Sequence, residues 1–477
     1  MSYAELDMLI DGKWTKGSGA PMDVLNPATE EVLGQLPTAT DSDLDAAVEA
    51  SARGFDAWSD MTALARQKIM EKAARYIEDN VDQIARDCTL EQGKPFIESK
   101  MELGFVIDAI RWYGEEGKRA YGRLIPSRFP GTRLIATKEP VGPTCAFVAW
   151  NFPGVNVIRK IAGALGAGCS IVLKPSEETP STAIAIARAF QEAGVPDGTV
   201  NIVFGDPAAV SSRILASDIP RKMSFTGSTA VGKLLARQAA ETLKRCTMEL
   251  GGHAPVLVFD DADIGAAAKA AAATKFRNAG QVCISPTRFY VQEKSYGDFV
   301  DAFEEATKAV KVGNGMDEGT QMGPLVADRR LPVMQDFVDD AVSQGAKLVT
   351  GGKRIGNQGY FYEPTLLKDV PENAKIMNDE PFGPVAPVTS FKTEDEIVER
   401  ANKVKVGLAS YAFTSDGERA NRLGKKLNTG MVGINSMNVS TPESPFGGVD
   451  ESGYGSEGGI EGLDAYLRTK LVSETGV

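Results

Sequence analysis

The chain has 477 residues, with 52 lysines and arginines against 64 aspartates and glutamates, a formal net charge of −12. That balance argues against nucleic acid or an anionic membrane surface as the main partner, since both reward an excess of basic side chains. An apolar fraction of 43% is ample for packed cores, and the length implies two to three domains of a globular protein that acts on small molecules.

The opening residues, Met1 to Asp7, lack the basic and apolar regions of a secretory signal and the basic, acid-poor character of a mitochondrial one, so a cytoplasmic location is expected. Residues 42–58, with Leu44, Val48, Phe55 and Trp58 near one face, predict an amphipathic helix, and Ile69, Ala73, Tyr76 and Ile77 predict a second. From about residue 144 the pattern changes to short β-like runs at 144–149, 170–173 and 200–204, separated by alanine-rich helical stretches such as 181–193. This alternation is that of a parallel α/β sheet. The small and apolar run from Ile161 to Leu173 is too short to span a bilayer. A second α/β run follows from about 255, with strands expected at 287–291 and 409–414. No internal repeat, low-complexity tract or long linker interrupts the chain.

Polar turns follow several of these strands: Asn151 to Gly154, Lys174 to Glu177, and Phe225 to Ser228. In open parallel sheets that edge is where ligands bind. Asn151 offers a neutral amide donor, suited to a developing oxyanion and equally to an ordinary turn. Lys174 and Glu177 suit a ribose, or a solvated turn. The segment from Gly227 to Gly232 can present amides to a pyrophosphate at a helix N-terminus, although it is not GxGxxG and glycine serves many turns.

Five cysteines, at 88, 145, 169, 246 and 283, are widely spread and show no metal-ligand spacing, so reduced thiols and no metal site are expected. Cys145 and Cys169 lie in apolar runs and read as core residues. Cys283 differs: the segment Lys275 to Pro286 sets it among small and polar neighbours, as a nucleophile would be presented. Upstream, Met248-Glu249-Leu250-Gly251-Gly252-His253 places a carboxylate before paired glycines. His253 is the one histidine of the chain, in a turn-like setting that favours a structural role, so a Cys–His protease is excluded as a reading.

Taken together, Trp150-Asn151-Phe152-Pro153, Lys174-Pro175-Ser176-Glu177, Phe225-Thr226-Gly227-Ser228-Thr229, Met248-Glu249-Leu250-Gly251-Gly252, Gly280-Gln281-Val282-Cys283, Glu380-Pro381-Phe382-Gly383-Pro384 and Pro445-Phe446-Gly447-Gly448 resemble, in order and spacing, the NAD(P)-dependent aldehyde dehydrogenase superfamily. The resemblance runs from about Leu9 to the end of the chain. It implies an α/β fold with a Rossmann-like NAD domain (1–119 and 141–251), an α/β catalytic domain (252–451), and a small β bridging and oligomerisation element (120–140 and 464–477). Homodimers or homotetramers are implied.

The resemblance also assigns roles. Cys283 would be the nucleophile, Asn151 the oxyanion donor and Glu249 the general base that hydrolyses the thioester. The presence of Glu249 favours an acid product over the coenzyme-A-acylating branch. Trp150, Lys174, Glu177, Gly227, Ser228, Leu250, Glu380 and Phe382 would meet the cofactor, with Glu380 at the nicotinamide ribose. A carboxylate at Glu177 favours the ribose 2′-hydroxyl and repels a 2′-phosphate, which implies NAD in preference to NADP. Arg159 and Arg277 match positions where relatives that oxidise 2-oxoglutarate semialdehyde or succinate semialdehyde bind the distal carboxylate, with Ser440 and Thr441 beside them. The alternative for either arginine is a structural ion pair. The polar loop 436–443 leaves hydroxylated or sugar-derived aldehydes open as substrates. Esterase activity through Cys283 is a conceivable side reaction, and a non-enzymatic role is disfavoured by the complete set of reactive residues.

Overall fold

The computed structural model describes residues 3–476, in which two large sheets flanked by helices are accompanied by a three-stranded antiparallel ribbon and two two-stranded pairs. The helix expected at 42–58 spans Asp41–Ser59. Its start is fixed by a capping box, in which the Thr40 N–H donates to the Asp43 carboxylate at 2.8 Å, and Leu44, Val48 and Trp58 are buried along one face. The second helix spans Ala63–Asp79 and buries Met70, Ala73, Ala74 and Ile77.

The strands Thr144–Phe147, Ile171–Lys174, Val200–Ile202, Lys222–Thr226 and Arg245–Glu249 form the parallel centre of the first sheet. The chain steps outward from Thr144–Phe147 in one direction to Ile171–Lys174 and Val200–Ile202, then returns to its other side with Lys222–Thr226 and Arg245–Glu249. The reversal opens a crevice at the carboxyl ends of Thr144–Phe147 and Lys222–Thr226, the position where open α/β sheets bind ligands. The first strand ladder ends at Phe147, not at 149, because Val148 to Asn151 leave the sheet to form the turn that faces this crevice. At the far edge, Gly453–Tyr454 pairs antiparallel with Met248 and Glu249.

The second sheet is built likewise. Ala254–Val258 lies between Pro286–Gln292 on one side and Ala409–Phe413 on the other, all parallel. Val385–Phe391 and Thr365–Lys368 extend one wing and Met431–Ile434 the other. Each sheet has its own apolar core. One gathers residues from Leu6 to Leu250 together with Leu463, Tyr466 and Leu467; the other gathers residues from Ala254 to Phe446. Between residues 120 and 140 the chain makes the hairpin of Arg123–Ile125 and Thr132–Pro140, and Leu467–Thr475 pairs with the second of these strands along its whole length. No helix among the described residues is long and apolar enough to cross a membrane.

Candidate active site

Cys283 lies just past a short helical turn, Arg277–Gly280, whose residues Asn278, Ala279 and Gly280 all have positive φ, at 48°, 51° and 71°. Two non-glycine residues in this region cost on the order of 1–2 kcal/mol each, so neighbouring contacts must hold them. They do so on both sides. The Asn278 amide donates to the Asn151 carbonyl at 2.8 Å and accepts from the Gln92 amide at 2.8 Å, while the Gln281 carboxamide oxygen accepts from the Val326 N–H at 2.9 Å. A Cβ on Gly280 would stand 2.2 Å from the Gly383 carbonyl, so glycine is required there by both φ and space.

The Asn151 turn is held by a buried ion pair that short motifs do not reveal. Lys94 Nζ meets Glu102 at 2.6 Å, with both side chains almost fully excluded from water, and also donates to the Asn151 carbonyl at 2.9 Å. The other Glu102 oxygen accepts the Gly154 and Val155 N–H groups at 2.7 and 3.1 Å, at the N-terminus of the helix Pro153–Ala167. The Asn151 side chain is oriented in turn: its oxygen accepts from the Asn156 amide at 3.0 Å, and its nitrogen donates to the Gln281 carbonyl at 3.1 Å. One N–H of the Asn151 amide is thereby left over. The Cys283 backbone N–H likewise has no hydrogen-bond partner among the described residues.

Glu249 ends the strand Arg245–Glu249 and is 2% exposed, yet neither carboxylate oxygen finds a hydrogen-bond partner among the described residues. Burial pushes its carboxyl up to about 8, against the opposing pull of Lys160 and Arg159. Lys160 is itself buried, paired with Glu457 and donating to the Thr226 hydroxyl at 2.7 Å. Desolvation pushes the Cys283 thiol up to about 12, and the charges of Glu380 and Glu249 act in the same direction. Arg159 and a hydrogen bond from the Ile284 N–H oppose it. His253 takes no part: it is buried, bonded through Nδ1 to the Thr287 hydroxyl at 2.9 Å, and burial holds it well below the ordinary imidazole range.

Two cavities meet at this point. The larger, about 1100 Å³, is the crevice of the first sheet; the smaller, about 210 Å³, lies beyond it. Thr226, Glu249, Leu250 and Cys283 line both. The larger one also contains Trp150, Asn151, Lys174, Glu177, Gly227, Ser228, Glu380 and Phe382, so every residue expected at a cofactor faces one cleft. Lys174 pairs with Glu177 at one end. Ser228 caps the helix Thr229–Ala240, its hydroxyl accepting the Val231 N–H, which turns that N-terminus toward the cleft. At the thiol end, Glu380 accepts the Gly252 N–H at 3.2 Å, and burial pushes its carboxyl up to about 7. Phe382 stands edge-on to Trp150, with ring centroids 5.6 Å apart.

The smaller cavity is walled by Phe105, Phe152, Met437, Val439 and Phe446 and contains Arg159 and Arg277. Neither arginine has an ion-pair partner among the described residues; Arg159 is buried and Arg277 is exposed. Arg159 is 4% exposed, stacks 3.8 Å above the Phe446 ring, and donates to the Ser440 hydroxyl at 2.8 Å. Arg277 lies 5.2 Å from the Phe152 centroid. Ser440 therefore reaches the cavity, whereas Thr441 does not line it: its N–H and hydroxyl close a turn on the Ser444 hydroxyl, each at 3.1 Å.

A profile of the Aldehyde dehydrogenase family matches residues 14–472. The chain belongs to this family. Among the aldehyde dehydrogenases it is similar to the 4-(hydroxymethyl)benzenesulfonate dehydrogenase TsaD1 of Comamonas testosteroni, with 45% identity over 98% of this chain and 97% of the relative. It is 42% identical to the succinate-semialdehyde dehydrogenase [NADP(+)] GabD of Escherichia coli strain K12, over 97% of this chain and 96% of the relative. The crystal structure of succinate-semialdehyde dehydrogenase from Burkholderia pseudomallei superimposes with a TM-score of 0.97 at 41% identity, covering 99% of this chain and 98% of that one. This aldehyde dehydrogenase is accordingly an oxidoreductase of an NAD(P)-using family with the α/β fold expected from its motifs. Sequence reasoning missed Lys94 and Asn156, which bond Asn151 directly, and Glu102, which acts through Lys94 and the helix N–H groups.

Proposed function

We propose that the protein oxidises a semialdehyde carrying a distal carboxylate, 2-oxoglutarate semialdehyde or succinate semialdehyde, to the corresponding acid with NAD. The observation that carries this reading is the pair of arginines without carboxylate partners in the same apolar cavity as Cys283. Arg159, buried without a counterion, favours a bound anion, since an unpaired buried charge is costly and a carboxylate ligand relieves that cost, and the exposed Arg277 adds a second guanidinium to the same cavity. A distal sulfonate has the same charge and acceptors. The benzenesulfonate relative supports including sulfonates in the substrate class.

The cleft fits a dinucleotide: a Lys–Glu pair for a ribose, a helix N-terminus for the pyrophosphate, and the Glu380 carboxylate beside the thiol for the second ribose. When bound, NAD supplies the hydride acceptor. Attack of Cys283 Sγ as the thiolate, its proton released to solvent beforehand, on the aldehyde carbon would place the new oxyanion between the remaining Asn151 N–H and the Cys283 N–H, two donors already held in place before the charge develops. After oxidation the acyl group remains on Cys283 as a thioester. Glu249, desolvated and without hydrogen bonds, takes the proton from the attacking water. Glu177 so near the ribose site favours NAD over NADP, whatever the preference of the NADP-named relative. The ribbon of 120–140 with 467–475, which leaves Leu124 and Leu471 exposed, is the surface we assign to a homodimer or homotetramer.

The test is NADH formation by the purified protein with 2-oxoglutarate semialdehyde, succinate semialdehyde, a sulfonated aldehyde, uncharged aliphatic aldehydes and sugar-derived aldehydes, compared by kcat/KM. The anionic substrates should lead, and Arg159→Ala or Arg277→Ala should remove that lead. A leading neutral or hydroxylated aldehyde would reject the reading.

A further inference from the structure

The substrate cavity holds an acid opposite its arginines. Glu98 lies on the helix Phe96–Glu116 and lines the cavity with Arg277 and Cys283. Its Oε2 accepts the N–H of Asn278, the residue next to Arg277, at 3.0 Å. The two side chains form no ion pair within 4.0 Å, because the Arg277 guanidinium is drawn over the Phe152 ring. Other charges facing Glu98 are already spoken for: Lys94 is closed on Glu102, and Glu102 also binds two helix N–H groups. Among the described residues no cation is paired with Glu98, and of the cavity's two unpaired arginines Arg277 is the one whose charge acts on it.

We propose that Glu98 is a specificity-determining residue that competes with the substrate's distal anion for the field of Arg277, so that tight binding of an anionic aldehyde requires Glu98 in its protonated form. With Glu98 ionised, the carboxylate offsets the guanidinium and repels the incoming anion. With Glu98 neutral, Arg277 is uncompensated and the acid O–H adds a donor to the anion. No group other than the carboxyl changes state, and the proton comes from solvent. Burial pushes the Glu98 carboxyl up to about 7, opposed by Lys94, Arg277 and the Asn278 N–H and reinforced by Glu102. The sign follows: below that pH the site accepts anions, and above it the advantage of an anionic over a neutral aldehyde declines.

This inference rests on the proposed anionic substrate, and the experiment separates the two. The selectivity ratio, kcat/KM for succinate semialdehyde over kcat/KM for butanal, is measured from pH 6 to 8.5 in the wild type, Glu98→Gln and Arg277→Ala. Effects common to both aldehydes, including titration of Cys283 and Glu249, cancel in this ratio. The wild-type ratio should fall about tenfold over the range. In Glu98→Gln it should be flat and at pH 8 about tenfold above the wild type. A ratio in Glu98→Gln that still falls with pH, or that lies at or below the wild-type value at pH 8, overturns the role of Glu98. If Arg277→Ala lowers the ratio while Glu98→Gln leaves it unchanged, the anion reading stands and the Glu98 proposal fails. If Glu98→Gln raises the ratio and Arg277→Ala has no effect, repulsion by Glu98 stands and the assignment of the anion to Arg277 fails. Should Glu98→Gln fold poorly, Glu98→Met, which also removes the charge, carries the same expectation.

Discussion

At the scale of single residues, the site pairs a thiol and a carboxylic acid that are both hard to ionise. Because Glu249 is raised to about 8, the hydrolytic step should accelerate as pH climbs toward that value and level off above it, the deprotonated form being the base. Glu249→Gln should keep a single burst of NADH, since attack and oxidation do not need the base, and lose steady-state turnover by about 10²–10⁴-fold together with that pH limb. Stopped-flow absorbance separates burst from turnover. Lys94→Met would strand Glu102 as a buried charge and should cost about 3–5 kcal/mol in chemical denaturation. Glu177→Ser should raise kcat/KM with NADP relative to NAD by removing the charge that repels a 2′-phosphate.

Elements explain why some of these residues could be read from sequence and others not. Cys283, Glu249, Lys174 and Ser228 each sit at or just beyond a strand or turn whose local pattern is visible over a few residues. Lys94, Glu102 and Asn156 reveal nothing locally, because their meaning lies in contacts 57, 52 and 5 residues away. Nothing local separates Thr441 from Ser440, whereas in the fold the Thr441 hydroxyl bonds the Ser444 hydroxyl and only Ser440 lines the cavity. Strand ends are legible to within two residues, the larger misses falling at 149 and 204, since the pull of the crevice on residues 148–151 has no signature in hydrophobic pattern. At this scale the left-handed turn before Cys283 is the sensitive joint. Gly280→Ala forces a Cβ against the Gly383 carbonyl and should shift the thiol and the Phe382 turn together. Displacement of about 1 Å costs on the order of 100-fold in rate. Thiol labelling and cofactor titration should both change in this variant, whereas damage confined to the thiol would leave cofactor affinity intact.

Over the whole molecule, two independently packed cores present the carboxyl edges of their sheets to a common site, and the reactive groups divide between them: Asn151 and Glu249 come from the first, Cys283 and Glu380 from the second. The ribbon in which 132–140 meets 467–475 exposes Leu471 and Val472, and its hairpin strand Leu124, among ion-paired charges, and Leu124→Glu with Leu471→Glu should lower the proposed assembly state in sedimentation without unfolding either core. The strand that ends in Glu249 is bordered on its outer side by Gly453–Tyr454, and the Leu250 N–H donates to the Ser452 carbonyl at 3.0 Å. During synthesis, therefore, the first sheet emerges with this edge open for roughly two hundred further residues, and unpaired edges invite association with other chains. A nascent chain halted before residue 450 would carry Cys283, Asn151 and Glu249 and still hold the proposed base on a bare border, so ribosome-stalled lengths should turn from aggregation-prone to soluble only once Tyr454 has cleared the exit tunnel.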